Sequence, residues 1–560
     1  MKNNVLIWLL NKNRRWLGKL VILSAAQVGT AVFSVLFALG TRAVVDGAVS
    51  AEKAVFLRAC GIQCGIILSI LLCLLVTRHM RERLKADMDR DWKQQLLHGL
   101  LHGDYAEVSS FHSAELMNRL NNDVAKVNEG IVSIIPSAAA MTAKLAAALA
   151  VLGILDYRFT LLMALLGLLV ICATGFMRKR LKQLSKQVSE QDGIVTGYLQ
   201  ELMEKLLMVQ AMDVSEEAER RSAKLLNERY QVQCRRKNAS LFANTCVSIL
   251  HYGAGYLALV WGGWRLLRGQ ISFGSLMAVI QLVNQIRIPF VDLSGLFPKY
   301  QDLLASGERL MELSQIQGTP APTLDNPDEI YRAMDTLCGE NLTFSYDRDT
   351  VLKSVSFEIP KGSFTAITGT SGTGKSTLLK LLLGIFRPEQ GELYLQGEDF
   401  KWNLDRSTRK LFAYVPQGSL LLSGTIRENL TIAAPNATRQ QLQEAVSVSC
   451  MDRFLSELPD GLDTLLGESG TGLSEGQSQR LAIARAVLGG APILLLDECT
   501  SALDAETEGT VLQRLKELPG RTCIAVTHRQ AAVDLCDYQL SLQNGKIHIN
   551  KNHEKTTGSR

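Results

Sequence analysis

The sequence predicts a multidomain protein, with an all-α membrane domain of six helices followed by an α/β domain that contains a glycine-rich loop. Long charge-free apolar segments recur within the first 297 residues, and beyond them the pattern changes to strands that alternate with helices. Of the 560 residues, 47% are hydrophobic, which excludes intrinsic disorder as the main state. The net charge of +5 carries no concentrated basic patch, so we expect no nucleic-acid partner.

The membrane domain is predicted from the lengths of the apolar segments. A membrane-crossing helix needs about 20 apolar residues. Only Lys144 interrupts the third segment, and the sixth continues past Arg287. Buried helices of a soluble core could explain one such segment but not six. The predicted spans are residues 20–41, 59–77, 131–155, 159–177, 239–264 and 271–297.

Basic residues predict the orientation of these spans. Lys and Arg are concentrated in the two long connections that follow the second and fourth spans, whereas the other three connections are short. Because Lys and Arg mark the cytoplasmic side, we expect both termini and the second domain to be cytoplasmic. The N-terminus lacks a signal-peptide cleavage site, and residues 8–16 are expected to form an interfacial helix.

A phosphate-binding loop is the most specific motif of the second domain. It has the pattern G-x-x-x-x-G-K-S and lies between predicted strands at 351–358 and 363–368 and a helix at 377–383. Its glycines let several N–H groups point at one phosphate, and the helix dipole adds positive potential. Lys375 is expected to reach the β- and γ-phosphates. The predicted nucleotide contacts are Gly369, Thr370, Ser371, Gly372, Thr373, Gly374, Lys375, Ser376 and Thr377.

An apolar strand ending in two carboxylates, residues 493–498, is the second nucleotide motif. Such an apolar run is typical of a strand buried in a parallel sheet. Asp497 is expected to hold Mg²⁺ together with Ser376, and Glu498 to polarise the attacking water. Two surface acids at a strand end would be the alternative, but the upstream phosphate loop disfavours it.

Between these two motifs, the segment Leu473-Ser-Glu-Gly-Gln477 resembles the signature of the ATP-binding-cassette (ABC) ATPases, usually Leu-Ser-Gly-Gly-Gln. Tyr346 stands where that family stacks an aromatic side chain on adenine. Gln417 matches its Q-loop, residues 501–504 match its D-loop, and His528 matches its switch histidine. These motifs occur in the family's order and spacing.

The first half also resembles this family, specifically its exporter half-transporters with long intracellular helices. Residues 111–123 are similar to the first coupling-helix region, 307–313 to the connection after the sixth span, and 464–470 to a segment that contacts the partner's coupling helix. The resemblance implies a transmembrane domain over 1–316 and an ABC ATPase domain over 335–548. Between them, the proline-rich sequence predicts a linker over 317–334, and the polar composition predicts a tail over 549–560.

The resemblance also implies a mechanism in which two ATPase domains meet head to tail around two ATP molecules. Glu498, His528 and Gln417 are the implied catalytic residues, and Gln417 joins Ser376 and Asp497 at the Mg²⁺. Closure on ATP and reopening after hydrolysis drive alternating access, because ATP binds the closed state better. Besides Tyr346 and the phosphate loop, the implied nucleotide contacts are Ser474, Gly476, Gln477 and Asp504.

ATP and Mg²⁺ are therefore the expected cofactors, and a second half-transporter is the expected partner in a plasma or inner cell membrane. Glu498 and His528 are both present, which favours a homodimer but is compatible with the intact half of a heterodimer. Glu475 replaces a signature glycine, and we expect its carboxylate to point away from the triphosphate.

The resemblance leaves the transported substrate open among small hydrophobic molecules, peptides and lipids. Two alternatives remain, an importer of a chelate with the same architecture and a regulatory ATPase that moves no solute. A damaged Glu498 or His528 would be the sign of the regulatory ATPase. No N-terminal peptidase domain is expected, which argues against leader-peptide cleavage by this chain.

Several polar residues within the spans have two interpretations. Lys144 either lines the substrate path or forms a structural pair. Gln281, Asn284 and Gln285 share one helical face, which indicates either a wetted cavity or interhelical hydrogen bonds at the dimer seam. His251 is expected to be an interior histidine with satisfied hydrogen bonds.

Overall fold

The computed structural model describes residues 2–316, 326–346, 349–418, 421–467, 470, 472–543 and 545–551. It describes the backbone alone at residues 2–3, 166–179, 182, 243–244, 247, 250–251, 287–288, 290–295 and 297. Its contacts divide the chain into two units. The first comprises Met1–His98 and Ser113–Gln315, and the second Gly99–His112 and Ile316–Arg560. The predicted domain boundaries stay predictions.

The six predicted spans lie on six long helices of the described chain. Their ends extend well beyond the apolar segments, as the scarcity of Gly and Pro in residues 188–238 led us to expect. The helices are α1 (Lys2–Lys12), α2 (Leu17–Val49), α3 (Lys53–His102), α4 (Tyr105–Ser109), α5 (Ser113–Asn118), α6 (Val124–Leu155), α7 (Tyr157–Glu204), α8 (Leu206–Ala211), α9 (Ser215–Leu267) and α10 (Phe273–Gln315).

The membrane-facing character is clearest along α3. Apolar side chains along this helix are exposed to about two thirds, the reverse of a soluble helix: Leu57 67%, Ile62 63%, Leu68 62%, Leu72 63% and Leu75 66%. Within the described residues, Arg14–Val49, Lys53–His102 and Ser113–Leu155 are long and apolar enough to cross a membrane, and Phe273–Ile286 is a shorter apolar stretch.

Buried ionic groups connect α6 to α10 in the first unit, around a π-helical turn, Arg119–Asp123, between α5 and α6. Asp123 is fully buried and accepts hydrogen bonds from Ser306 Oγ at 2.9 Å and Arg309 Nε at 2.7 Å. Arg119 Nη1 donates to Glu312 Oε2 at 2.8 Å. These bonds fix the start of α6 to the end of α10.

The first unit contains the long helices and is called the helical unit, and the second contains the predicted ATPase domain and is called the ATPase unit. Residues 99–112 belong to the ATPase unit. The Tyr105 ring lies edge-on to Phe386, with centroids 6.0 Å apart, and Arg406 donates to the carbonyl of His102. Most of residues 111–123, the stretch similar to the first coupling-helix region, lies in the helical unit.

The ATPase unit combines three sheets with short helices. Its strands are β1 (Thr336–Tyr346), β2 (Asp349–Pro360), β3 (Phe364–Thr368), β4 (Gln390–Gln396), β5 (Lys401–Asn403), β6 (Phe412–Val415), β7 (Gly424–Thr425), β8 (Leu465–Leu466), β9 (Ile493–Asp497), β10 (Thr522–Val526), β11 (Tyr538–Gln543) and β12 (Lys546–Lys551). Its helices after α4 are α11 (Pro327–Ala333), α12 (Lys375–Leu382), α13 (Ile426–Thr431), α14 (Arg439–Val448), α15 (Asp452–Glu457), α16 (Glu475–Leu488), α17 (Ala505–Lys516) and α18 (Gln530–Asp534).

A six-stranded sheet in the order β12-β11-β3-β10-β9-β6 forms the centre of this unit. All strands but β12 run parallel, so their carboxyl ends share one edge. All five residues of β9 are buried, which confirms the interpretation of its apolar run. The strands predicted at 351–358 and 363–368 are confirmed as β2 and β3.

A helix and a strand reach into the predicted linker and the predicted polar tail. Within the predicted linker, residues 327–333 form α11, while 317–325 lie outside the described residues. Strand β12 continues into the predicted polar tail, where Asn550 pairs with Gln539, and residues 552–560 lie outside the description.

Candidate active site

The phosphate loop connects β3 to α12, as predicted. Its three glycines have φ angles of +153° (Gly369), +83° (Gly372) and +100° (Gly374). A Cβ on Gly369 would lie 2.4 Å from the carbonyl oxygen of Leu542, and one on Gly374 would lie 2.5 Å from Val351 Cγ1. Glycine is therefore required at both positions for two separate reasons, backbone conformation and space.

The Lys375 side chain is folded into this loop. It is only 6% exposed, and its Nζ donates to the carbonyl oxygens of Gly369 and Thr370 at 3.0 Å each. Burial lowers the pKa of Lys375, while the nearby carboxylates of Glu498 and Asp497 act against that shift. The loop thus holds a desolvated ammonium group where an anion can reach it.

Asp497, the last residue of β9, joins the loop to the sheet. It is 2% exposed, and its two carboxylate oxygens accept hydrogen bonds from Ser376 Oγ at 3.0 Å and from the Tyr414 hydroxyl at 3.1 Å. Burial raises the pKa of Asp497. A hydroxyl and a carboxylate oxygen suit Mg²⁺, which usually takes one or two protein ligands together with substrate phosphates. The donor set therefore fits a nucleotide-borne Mg²⁺.

Glu498 brings the three predicted catalytic residues together. Its Oε2 accepts a hydrogen bond from Gln417 Nε2 at 3.0 Å, and its Oε1 lies 3.1 Å from His528 Nε2. Gln417 and His528 each stand two residues beyond a strand that flanks β9, namely β6 and β10. Glu498 has a φ of +49°, a left-handed conformation that is uncommon outside glycine and that clusters at functional sites.

Tyr346 lies at the end of β1, close to the carboxyl side of the phosphate loop. Its hydroxyl is 3.4 Å from Thr377 Oγ1, and its ring packs edge-on against Phe344 and Phe386 at centroid distances of 5.0 and 5.5 Å. The residue remains 40% exposed. A supported but open aromatic face of this kind can stack on a nucleotide base.

The signature residues are organised around the start of α16. Ser474 is its N-cap and forms a capping box with Gln477, with the Ser474 N–H 2.8 Å from Gln477 Oε1. Glu475 is exposed in the first turn, where a negative charge is favourable. A Cβ on Gly476 would lie 3.0 Å from the carbonyl oxygen of Ala502.

Asp504 plays a similar capping part at the start of α17. Its Oδ1 accepts the Thr507 N–H at 2.9 Å, and this bond lowers the pKa of Asp504. Within the described part of the chain, neither Asp504 nor Ser474 hydrogen-bonds to the phosphate loop. The structure thus brings together the loop, Asp497, Glu498, Gln417 and His528, whereas these two motifs cap separate helices.

Comparison with known proteins follows the two units. Residues 352–501 match the family model of the ABC transporter, and residues 18–290 match that of the ABC transporter transmembrane region. A fatty acid ABC transporter ATP-binding/permease protein of Mycobacterium tuberculosis is 30% identical over 454 residues, which are 80% of this chain and 70% of that protein. The chain belongs to the ABC transporter family.

Further similarities define the type of ABC transporter. An ATP-dependent lipid A-core flippase of Photobacterium profundum is 29% identical over 439 residues, 78% of this chain and 74% of that protein. The structure of a bacterial Atm1-family ABC exporter with ATP bound has a TM-score of 0.78 at 22% identity, covering 96% of this chain and 95% of that one. This transporter therefore has the exporter half-transporter fold, and it is an integral membrane protein that binds and hydrolyses ATP.

The polar face of the sixth span is only partly explained. Gln285 forms hydrogen bonds with Ser34 of α2 in the same chain, including Ser34 Oγ to Gln285 Oε1 at 2.9 Å. Asn284 is exposed, and Gln281 Oε1 is buried without a hydrogen-bond partner among the described residues. Lys144 is half-buried. The side chains of His251, Arg287 and Asp292 lie outside the description.

Three residues that sequence analysis did not single out hydrogen-bond to the motifs of this ABC transporter. Tyr414 donates to Asp497 in the site, while Gln479 and Arg529 donate to Ser501 of the D-loop, outside it. Of these three residues, only Arg529 has a signal in the sequence, because it directly follows His528.

Proposed function

We propose that this ABC transporter is one half of a homodimeric exporter that uses ATP hydrolysis to move a lipid-like amphiphile by alternating access. The observation that carries the proposal is Glu498, held between Gln417 and His528 beyond an intact phosphate loop. A damaged Glu498 or His528 would be the sign of a regulatory ATPase that moves no solute, and both residues are intact. The lipid A-core flippase and the fatty acid transporter, which match 78% and 80% of this chain, are the reason for proposing an amphiphilic substrate.

The residues of the site divide the work of hydrolysis. Lys375 and the N–H groups of the loop bind the phosphates, and Tyr346 stacks on the adenine. Mg²⁺ would be held by Ser376, Asp497 and Gln417, and it would supply positive charge to neutralise the phosphates. Glu498 orients and polarises the attacking water, and His528 contacts the γ-phosphate.

A second copy of the chain completes each site in this proposal. As the family resemblance implies, the ATP of the partner is approached by Ser474, Gly476, Gln477 and Asp504.

The helical unit also carries an apolar surface at α8 that suits a protein contact. Its side chains are exposed to 43–82%: Leu206, Leu207, Met208 and Met212. Both termini and the ATPase domain are cytoplasmic, since the basic connections mark that side.

The proposal is tested with the purified chain alone in lipid nanodiscs. We expect measurable ATPase activity, its loss in Glu498→Gln and Lys375→Ala, and its retention in Glu517→Gln, an exposed carboxylate at the end of α17. Wild-type turnover in either site variant would refute the site assignment. A folded, ATP-binding chain without activity would instead indicate a heterodimer.

A second experiment, with membrane vesicles, tests the direction of transport and the substrate. Inside-out vesicles should accumulate an exported amphiphile in an ATP-dependent manner, and Glu498→Gln should abolish the accumulation. Accumulation in right-side-out vesicles with internal ATP would favour the uptake alternative.

A further inference from the structure

The D-loop, residues 501–504, is fastened by the side chain that follows the switch histidine. Arg529 Nη2 donates to the carbonyl oxygen of Ser501 at 2.8 Å, and its Nη1 donates to that of Leu503 at 3.0 Å. Because Arg529 is the neighbour of His528 in the chain, these bonds fix the backbone beside the histidine to the D-loop.

A buried counter-ion keeps this guanidinium in place. Glu508 of α17 is 4% exposed, and its Oε2 pairs with Arg529 Nη1. Its other oxygen accepts a hydrogen bond from Thr500 Oγ1 at 2.7 Å. Both carboxylate oxygens are therefore engaged, and the pair leaves no buried charge uncompensated. A planar guanidinium can reach two carbonyls and a carboxylate at once, which a lysine ammonium on a flexible stem cannot do in the same geometry.

The D-loop also forms hydrogen bonds with α16, the helix that begins at the signature residues. Gln479 of α16 donates from Nε2 to Ser501 Oγ and accepts the Ala502 N–H at Oε1, both at 3.1 Å. A continuous chain of bonds thus runs from α16 through the D-loop to Arg529 and the backbone next to His528. By the proposed function, α16 faces the ATP of the partner whereas His528 faces the ATP of its own chain.

We propose that Arg529 is a positioning residue for ATP hydrolysis, which sets the D-loop and His528 in one rigid arrangement and relies on Glu508 to do so. The inference rests on the proposed function. No hydrogen bond described for Arg529 reaches the phosphate loop. Its loss therefore lowers kcat, because the catalytic geometry is loosened, and leaves the KM for ATP nearly unchanged.

The test compares Arg529→Lys and Glu508→Gln with Arg409→Lys, each as the full chain in nanodiscs. Arg409 is a matched control, since it also bridges two carbonyl oxygens, those of Leu383 and Gly384, at 2.9 and 2.8 Å. We expect Arg529→Lys to lower kcat about tenfold or more, with KM within about twofold of wild type. Glu508→Gln should shift kcat in the same direction, and Arg409→Lys should retain it.

A purely structural role would give different results. It would lower the thermal midpoint and the ATP-induced stabilisation, and Arg409→Lys would lose activity to a similar extent. Either that pattern or an unchanged kcat in Arg529→Lys overturns the proposal. If Arg529→Lys does not fold, Glu508→Gln decides by the same criteria. Wild-type turnover in Glu498→Gln would show instead that the proposed function itself is wrong.

Discussion

Two glycines of the phosphate loop allow backbone strain to be separated from steric crowding. Alanine at Gly372 or Gly374 must adopt φ angles of +83° or +100°, which costs about 1–2 kcal/mol. At Gly372 a Cβ would have no heavy atom within 4 Å, whereas at Gly374 it would lie 2.5 Å from Val351 Cγ1. Overpacking adds about 1–3 kcal/mol, so Gly374→Ala should be less stable than Gly372→Ala by that difference.

Thermal unfolding of the ATPase domain, followed in the full chain without nucleotide, measures this difference. One kcal/mol shifts Tm by roughly 2–4 °C in a domain of this size, so Gly374→Ala should melt roughly 2–12 °C below Gly372→Ala. Equal melting temperatures would refute the reasoning, because they would mean that Val351 yields without cost. Both variants should bind ATP more weakly than wild type, since both distort the loop.

Two further predictions concern nucleotide binding. Tyr346→Leu should raise the KM for ATP about fivefold or more with kcat retained, because base stacking contributes about 1–3 kcal/mol, while Tyr346→Phe should resemble wild type in steady-state kinetics. Burial lowers the pKa of Lys375, so ATP binding to Glu498→Gln should weaken with rising pH, beginning below the usual range for lysine deprotonation. In the same Glu498→Gln background, Lys375→Arg keeps its positive charge, so its affinity for ATP should not change with pH. If both variants lose affinity in parallel as the pH rises, the pH dependence does not come from Lys375.

Features that consist of residues adjacent in the chain could be predicted from the sequence. The apolar segments predicted the six helices because charge is excluded over the length of a membrane span. The phosphate loop and the pair Asp497–Glu498 were predicted for a similar reason, since their chemistry is encoded in short contiguous stretches. Family resemblance added Gln417 and His528, and the structure places both side chains against Glu498.

Contacts between distant residues could not be predicted in this way. The hydrogen bond of Tyr414 to Asp497 depends on the pairing of β6 with β9, and nothing around Tyr414 in the sequence indicates it. The ion pair of Arg529 with Glu508 likewise depends on how α17 packs. The assignment of residues 99–112 to the ATPase unit follows from tertiary contacts of short, weakly patterned elements, which sequence periodicity does not encode.

The parallel sheet makes ATP hydrolysis a sensitive reporter of correct strand pairing. Val415 lies opposite Leu496, and Val526 lies opposite Asp497. The register on both sides of β9 therefore determines the positions of the Gln417 and His528 side chains. A slip of one residue would move either side chain by about 3.3 Å and turn it to the other face of the sheet. Such a misfolded chain would still insert its apolar helices in the bilayer. Turnover, rather than membrane yield, is therefore the appropriate quality criterion when variants of the ATPase unit are compared.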